Sequence, residues 1–153
     1  MKKKVNLGLD LQGGSYLLLE VDKKPVINQT LQSKLTQVRN FFKKKEIKTF
    51  DYKLENQKIY FKSDKVNNEK ILDLFKNDFE LNRYFEVYKS KQYNIEVVNE
   101  EFNLTLSKYG IIEIEQSLLD QAIEIVRKRV DEVGTNEPSI TKSGSNRISV
   151  ELP

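Results

Sequence analysis

The chain has 153 residues, 38% of them apolar and 32% charged, with a net charge of +3 and neither cysteine nor histidine. That length suits one ordinary domain or two small ones, and the missing residue types exclude disulfides, thiolate nucleophiles, histidine triads and nearly all transition-metal sites. The charge is too small to argue for nucleic acid, and lysine supplies 21 of the 26 basic residues where phosphate recognition would favour arginine.

No run of apolar residues approaches the roughly 20 needed to cross a bilayer, and no hydrophobic segment follows Met1-Lys2-Lys3-Lys4 to make a signal peptide. The first strong element is Ser15 to Asp22, where Ser15, Leu17, Leu19 and Val21 alternate with Tyr16, Leu18, Glu20 and Asp22 as in a strand. Asp22-Lys23-Lys24-Pro25 ends it, and Pro25 suits a first helical turn. Ile27, Leu31, Leu35, Val38 and Phe42 then recur at intervals of four and three, which predicts a helix with one apolar face. Its end falls in Lys43-Lys44-Lys45, whose charges complement the helix dipole.

Phe50, Tyr52 and Leu54, a turn at Glu55-Asn56-Gln57-Lys58, and then Ile59 and Phe61 predict a β-hairpin. A short helix capped by Asn67 or Asn68 would bury Ile71, Leu72, Phe75 and Phe79. Tyr84 to Tyr88 and Ile95 to Leu106, the latter bent or interrupted near Asn99, read as two further strands. Gly110 opens the last part of the chain and offers a pivot there. Leu119, Ala122, Val126, Val130 and Val133 form a second long stripe, widened by Leu118, Ile123 and Ile125. Arg127, Lys128 and Arg129 lie in its closing turns, and Gly134 is placed as its left-handed C-terminal residue. Ser139 to Lys142 and Arg147 to Leu152 read as a hairpin about Ser143-Gly144-Ser145-Asn146. The order favours an α+β fold with helices on one face of antiparallel sheets. It stops in mid-pattern at Glu151-Leu152-Pro153, as a piece of something longer would.

Three motifs invite chemistry, and each has a plainer account. Gly8 and Gly13 have the separation of a phosphate loop, but Gly14 and Ser15 stand where Lys and Ser or Thr are needed, and the segment leads into a strand instead of a helix. A tight bend, with glycines at positive φ and Asp10 bonded to the turning backbone, is preferred. Asp131, Glu132 and Glu137 could pair as acid and base, yet Asp131 and Glu132 are adjacent on a helix and diverge, so a solvated face is preferred. An aromatic-bearing sheet with two helices also describes RNA-binding modules of the RRM kind, the alternative function, although Lys58-Ile59-Tyr60-Phe61-Lys62 lacks their diagnostic glycines.

Two segments taken together point elsewhere. Gly8-Leu9-Asp10-Leu11-Gln12-Gly13-Gly14 leading into Leu17-Leu18-Leu19-Glu20-Val21-Asp22 resembles the opening of the first periplasmic domain of the SecD family, membrane subunits of the bacterial protein-export machinery. Arg129-Val130-Asp131-Glu132-Val133-Gly134, Glu137-Pro138-Ser139-Ile140 and Gly144 to Pro153 resemble that domain's later signature, with Thr135-Asn136 departing from the usual pattern. The resemblance implies two ferredoxin-like sandwich units, one inserted in the other: a base formed by residues 1–22 and 110–153, left incomplete where the chain stops, and an insert at 23–109. It implies scaffold roles for the signature residues. Asp10 to Gly14, with Gly8, Leu11, Gln12 and Gly13, would bend the chain into the base. Gly134 with Glu137 and Pro138 would set the helix carrying Arg129 and Val130 against the final hairpin. Arg147, followed by Glu151, Leu152 and Pro153, would lock that hairpin's edge, pairing across to a carboxylate. An edge beside Arg147 to Leu152 would be left exposed.

No catalytic residue, metal or cofactor is implied. The implied partners are SecF, the SecYEG translocon and an unfolded translocating polypeptide, with membrane attachment through helices outside this sequence. The implied location is the periplasmic side of the bacterial inner membrane, in late, proton-motive-force-assisted translocation. A shallow cleft where base and insert meet, near Val21 to Pro25 and Leu106 to Gly110, is the favoured place for the polypeptide, the alternative there being a rigid, fully packed junction.

Overall fold

A computed structural model describes residues 5–11, 15–134 and 137–152. The elements run β1 (Val5–Leu11), β2 (Ser15–Val21), α1 (Lys24–Lys44), β3 (Thr49–Glu55), β4 (Lys58–Ser63), α2 (Asn68–Asn77), β5 (Tyr84–Phe85), β6 (Ser90–Lys91), β7 (Tyr93–Val98), β8 (Glu101–Leu106), α3 (Lys108–Val133), β9 (Ser139–Ser143) and β10 (Arg147–Leu152). The chain divides into two compact units, Met1–Pro25 with Glu113–Pro153, and Val26–Ile112. All paired strands are antiparallel, and the fold is α+β with helices packed on sheets.

The first unit is a sheet of order β1-β2-β10-β9. Leu19, Ile148 and Val150 from its strands close a core with Leu119 and Ala122 of α3. The alternation read in Ser15 to Val21 and Arg147 to Leu152 therefore places adjacent strands, Leu19 opposite Ile148 and Leu17 opposite Val150. Partly buried Ile123, Val126 and Ile140 extend this core, but the helix stripe ends there: Ile125 is exposed and Val133 is 80% exposed. Gly134 takes φ +73 directly after α3, and its N–H donates to Asp131 C=O at 3.1 Å, the left-handed stop that its position predicts. Across the unit, Lys142 pairs with Asp120 at 2.7 Å and Lys23 with Glu115.

Two expectations for this unit change. Residues 5–11 form a strand, so the bend does not begin at Asp10, which pairs with Tyr16. Val5, Leu7, Leu9 and Leu11 alternate in the sequence as a strand requires. Gln12, Gly13 and Gly14 lie outside the described residues, as do Lys2 to Lys4, Thr135, Asn136 and Pro153. Further, β10 is no edge: it lies between β2 and β9.

The second unit is a sheet of order β3-β4-β8-β7. Ile59 and Phe61 of β4, with Phe102 and Leu104 of β8, are fully buried on one face. Phe61 stacks on Phe102 at 4.8 Å and also meets Phe42 of α1 and Phe75 of α2, at 5.9 and 6.4 Å, so both helices cover that face. Each buried aromatic of this kind contributes roughly 2–3 kcal/mol relative to exposure. The β3–β4 turn has Asn56 and Gln57 both at positive φ, the twist-matched two-residue loop that asparagine favours.

The interruption expected near Asn99 is a hairpin turn: Asn99 and Glu100 both take positive φ and reverse the chain between β7 and β8. Three other expectations for this unit fail, each for a local reason. Phe50 is 38% exposed because a bulge between Phe50 and Lys53 breaks the alternation of β3. Phe79 is 65% exposed because the Asp78 carboxylate accepts the N–H groups of Glu80 and Leu81, ending α2 early and giving the buried place to Leu81. Tyr84 to Tyr88 shrinks to the two-residue β5, which pairs with β6. In addition, Asn67 sits at the N-cap of α2 without bonding through its side chain.

Gly110 is not a pivot. It lies in the first turn of α3, where its N–H donates to Ser107 Oγ at 3.0 Å. A Cβ there would stand 2.5 Å from the Gln92 carbonyl oxygen. Ser107 itself is buried, donating from Oγ to Lys91 C=O at 2.7 Å and from its N–H to Gln92 C=O at 2.9 Å. This tie holds the start of α3 against the entry to β7.

Candidate functional site

The signature residues from the two ends of the chain gather in the first unit's sheet. Gly8 stands opposite Leu18, Asp10 opposite Tyr16 and Leu11 opposite Ser15 on one side of β2. Arg147 stands opposite Glu20, Glu151 opposite Tyr16 and Leu152 opposite Ser15 on its other side. Tyr16 and Ser15 thus bridge early and late signatures. Arg147 is exposed, and the Glu20 carboxylate opposite it accepts Asn146 Nδ2 at 3.1 Å. Asn146 C=O also accepts Val21 N–H at 2.7 Å, so the asparagine fastens the β9–β10 turn to β2. Arg129 lies exposed on α3 with Val130 beside it, partly covered; Glu137 takes φ +49 and Pro138 leads into β9. These residues shape strands, a helix stop and a turn. The acidic pair Asp131 and Glu132 lies on the exposed side of α3 with Arg127 and Lys128.

The second unit holds the polar groups that burial perturbs. A cleft of about 670 Å³ runs beside α1, between Gln29, Ser33 and Gln37 on one wall and Phe79 and Arg83 on the other. Lys34 lies at its base, only 6% exposed. Its ammonium donates to Leu81 C=O and, at 3.0 Å, to Gln37 Oε1, and it lies 4.7 Å from the Tyr93 ring centre. Burial pushes the Lys34 pKa down to about 8 and pushes the Tyr93 phenol up. Beside them Asn82, 2% exposed, bonds Tyr93 through both main-chain groups and donates to Phe75 C=O at 3.1 Å. Lys91 lies over the rings of Phe79 and Tyr84, at 4.4 and 5.6 Å, its ammonium enclosed without a hydrogen bond.

Chemically these groups hold chain segments in place. Lys34, Asn82 and Ser107 each donate to a main-chain carbonyl, of the loop at Leu81, of α2 at Phe75 and of β6 at Lys91. Among the described residues no cluster of three or more carboxylates could hold a metal ion, and no helix is long and apolar enough to cross a membrane. On β4, Tyr60 is the aromatic turned away from the core, and Lys53 covers its ring at 4.9 Å.

Lys34, Asn82 and Ser107 escaped the sequence reading. Lys34 was findable: Ile27, Leu31, Lys34 and Val38 fall at i, i+4, i+7 and i+11, so the lysine occupies the apolar stripe itself. Asn82 and Ser107 act through segments distant in sequence, and no local pattern marks them.

Comparison with known proteins agrees with the gathering of the chain's ends. Residues 1–25 match the family described as "SecD/SecF GG Motif", and residues 119–153 match "Protein translocase subunit SecDF, P1 domain, N-terminal". The chain is similar to curated proteins called protein translocase subunit SecD. That of Rickettsia bellii is 32% identical over 97% of this chain and 27% of its own length. That of Magnetococcus marinus is 33% identical over 99% of this chain and 27% of its own length. That of Pseudomonas aeruginosa is 31% identical over 97% of this chain and 23% of its own length. The chain thus spans about a quarter of the length of these relatives. No solved structure matches it.

Proposed function

Because this chain carries SecD-family sequence at both of its ends, we propose that it is the first domain of a SecD-type subunit, working outside the cytoplasmic membrane without enzymatic chemistry. Its task is to hold and release a polypeptide emerging from the translocon during late, proton-motive-force-assisted export. SecF and SecYEG are its partners, and membrane helices elsewhere in the protein tether it. The observation that carries this is the meeting of both signatures in one sheet, on the two sides of β2. On this reading the first unit serves as a base, and Gly8, Asp10, Gly134, Pro138 and Arg147 are scaffold residues. The second unit is then an insert free to meet the client.

The test is site-specific photo-crosslinking in membrane vesicles. The full-length protein carries a photoreactive residue at positions in Val26–Ile112, and a secretory precursor is arrested in the translocon. Crosslinks from the second unit to the arrested precursor are expected. Their absence at every position, while SecYEG crosslinks to the same precursor, defeats the proposal.

A further inference from the structure

The second unit's sheet has two edge strands, and they differ. β3 is unsuited to an incoming strand: its pairing with β4 shifts at a bulge between Phe50 and Lys53, and Asp51 takes φ +54. A bulge of that kind twists an edge out of line for further pairing. β7 pairs with β8 without a shift, residue by residue from Tyr93 opposite Leu106 to Val98 opposite Glu101. It carries neither proline nor lysine, the usual guards of an edge, and Glu96 is its one charge.

Asn82 identifies which main-chain groups of β7 face away from β8. Tyr93 N–H donates to Asn82 Oδ1 at 3.0 Å, and Tyr93 C=O accepts from Nδ2 at 3.0 Å. In an antiparallel strand these groups alternate sides residue by residue, so those of Ile95 and Val97 face the same way as those of Tyr93. The carboxamide fills the first outward position as the backbone of another strand would. Beyond it, among the described residues, no main-chain bond reaches the outward N–H and C=O groups of Ile95 and Val97. Val97 and Val98 are 37% and 45% exposed, so that stretch is open to solvent.

We propose that the Ile95–Val97 edge of β7 takes an extended segment of unfolded polypeptide as a fifth strand. Asn82 stops the segment at one end, and the turn at Asn99 and Glu100 stops it at the other. Two N–H and two C=O groups are then available, enough for a contact of about three to five residues. Main-chain bonding of this kind is tolerant of client sequence, and the short length keeps release easy. Apolar client side chains on the face shared with Ile95 and Val97 gain burial there. The inference rests on the polypeptide engagement proposed above and assigns it a place and a mode.

The test uses the isotope-labelled 153-residue chain, an unfolded secretory precursor, and a short peptide of alternating valine and threonine. A second peptide is N-methylated at alternate residues along one edge, which removes its pairing donors. Binding of the unmethylated peptide is expected to shift the amides of Ile95 to Val97, and methylation to weaken it about tenfold or more. Val97→Pro removes an outward N–H and no bond to β8, so it is expected to weaken binding similarly while the rest of the amide spectrum persists. The methylated peptide decides the matter even if that variant does not fold. Binding of the precursor and of both peptides with equal affinity overturns the edge mode and leaves polypeptide engagement standing. Failure of precursor and peptides alike to bind overturns both.

Discussion

Asn82 grips Tyr93 by both of its main-chain groups, each bond 3.0 Å long, from a side chain that is itself 2% exposed. A third bond to Phe75 C=O at 3.1 Å satisfies a carbonyl near the end of α2, so one carboxamide joins that helix to the start of β7.

Asn82→Ala leaves buried groups of Tyr93 and Phe75 unpaired, at about 1–3 kcal/mol for each such group. A total loss of at least about 3 kcal/mol is expected in urea unfolding. Asn82→Asp keeps the acceptor but turns a carboxylate toward two carbonyls. Its loss is expected to be as large at neutral pH and to shrink on acidification, when the protonated acid can donate.

Gly110→Ala sets helix propensity against space. Alanine is favoured over glycine within a helix by about 1 kcal/mol, but the new Cβ would stand 2.5 Å from Gln92 C=O, with Leu106 Cδ2 at 3.1 Å. Overpacking against main chain costs roughly 1–3 kcal/mol. A net loss of stability is expected in thermal melts, with amide shifts centred on Gln92 and Ser107. A gain would show that α3 can move away from β7 without cost.

Between pH 8 and 10, stability is expected to rise. Burial holds Lys34 at a pKa of about 8 in the folded chain against 10.5 unfolded, so the unfolded state binds more protons across that window. The buried cation destabilises below pH 8, by roughly 3 kcal/mol relative to the fully deprotonated state. Above pH 10 the sign reverses, because burial raises the Tyr93 phenol and the unfolded tyrosine loses its proton first. Lys34→Met is expected to reduce the rise below pH 10, leaving what the lowered Lys91 contributes, and to keep the fall above it. Urea midpoints measured at half-unit pH steps check both.

How far the sequence reaches is clearest in three helices and two hairpins. The stripes of α1 and of the middle of α3 carry their burial in their spacing, and Asn56-Gln57 marks its turn by residue type. Asn99-Glu100 makes the same kind of turn, likewise led by asparagine, whereas α2 stops at Asp78 through side-chain bonds that compete with the helix. Such competition is decided by tertiary contacts, which a local pattern does not record. The base signature was visible as residues, whereas the β7 edge was invisible: it depends on Asn82 reaching a strand eleven residues away.

Ile148→Ala tests the sheet that joins the chain's ends. Ile148 is fully buried among Leu19, Leu119, Ala122 and Val150, and truncation at such a site costs about 2–5 kcal/mol. Hydrogen exchange is expected to speed at β2, β9 and β10 by a matching factor. Unchanged exchange there would show that this core contributes little to holding the strands.

The pairing of Ser15 with Leu152 sets an order on synthesis. Val26–Ile112 is one unbroken stretch and can fold as soon as it has emerged. At ~5–20 residues per second, β2 is made on the order of ten seconds before the partner strand that covers its flank. Through that interval Leu17 and Leu19 have no β10 beside them, and closing so long a loop carries an entropic cost that grows with the logarithm of its length. Prior folding of the middle stretch shortens the flexible chain left to close. β10, made after the whole middle stretch, is thus the strand that completes the unit begun by β1 and β2.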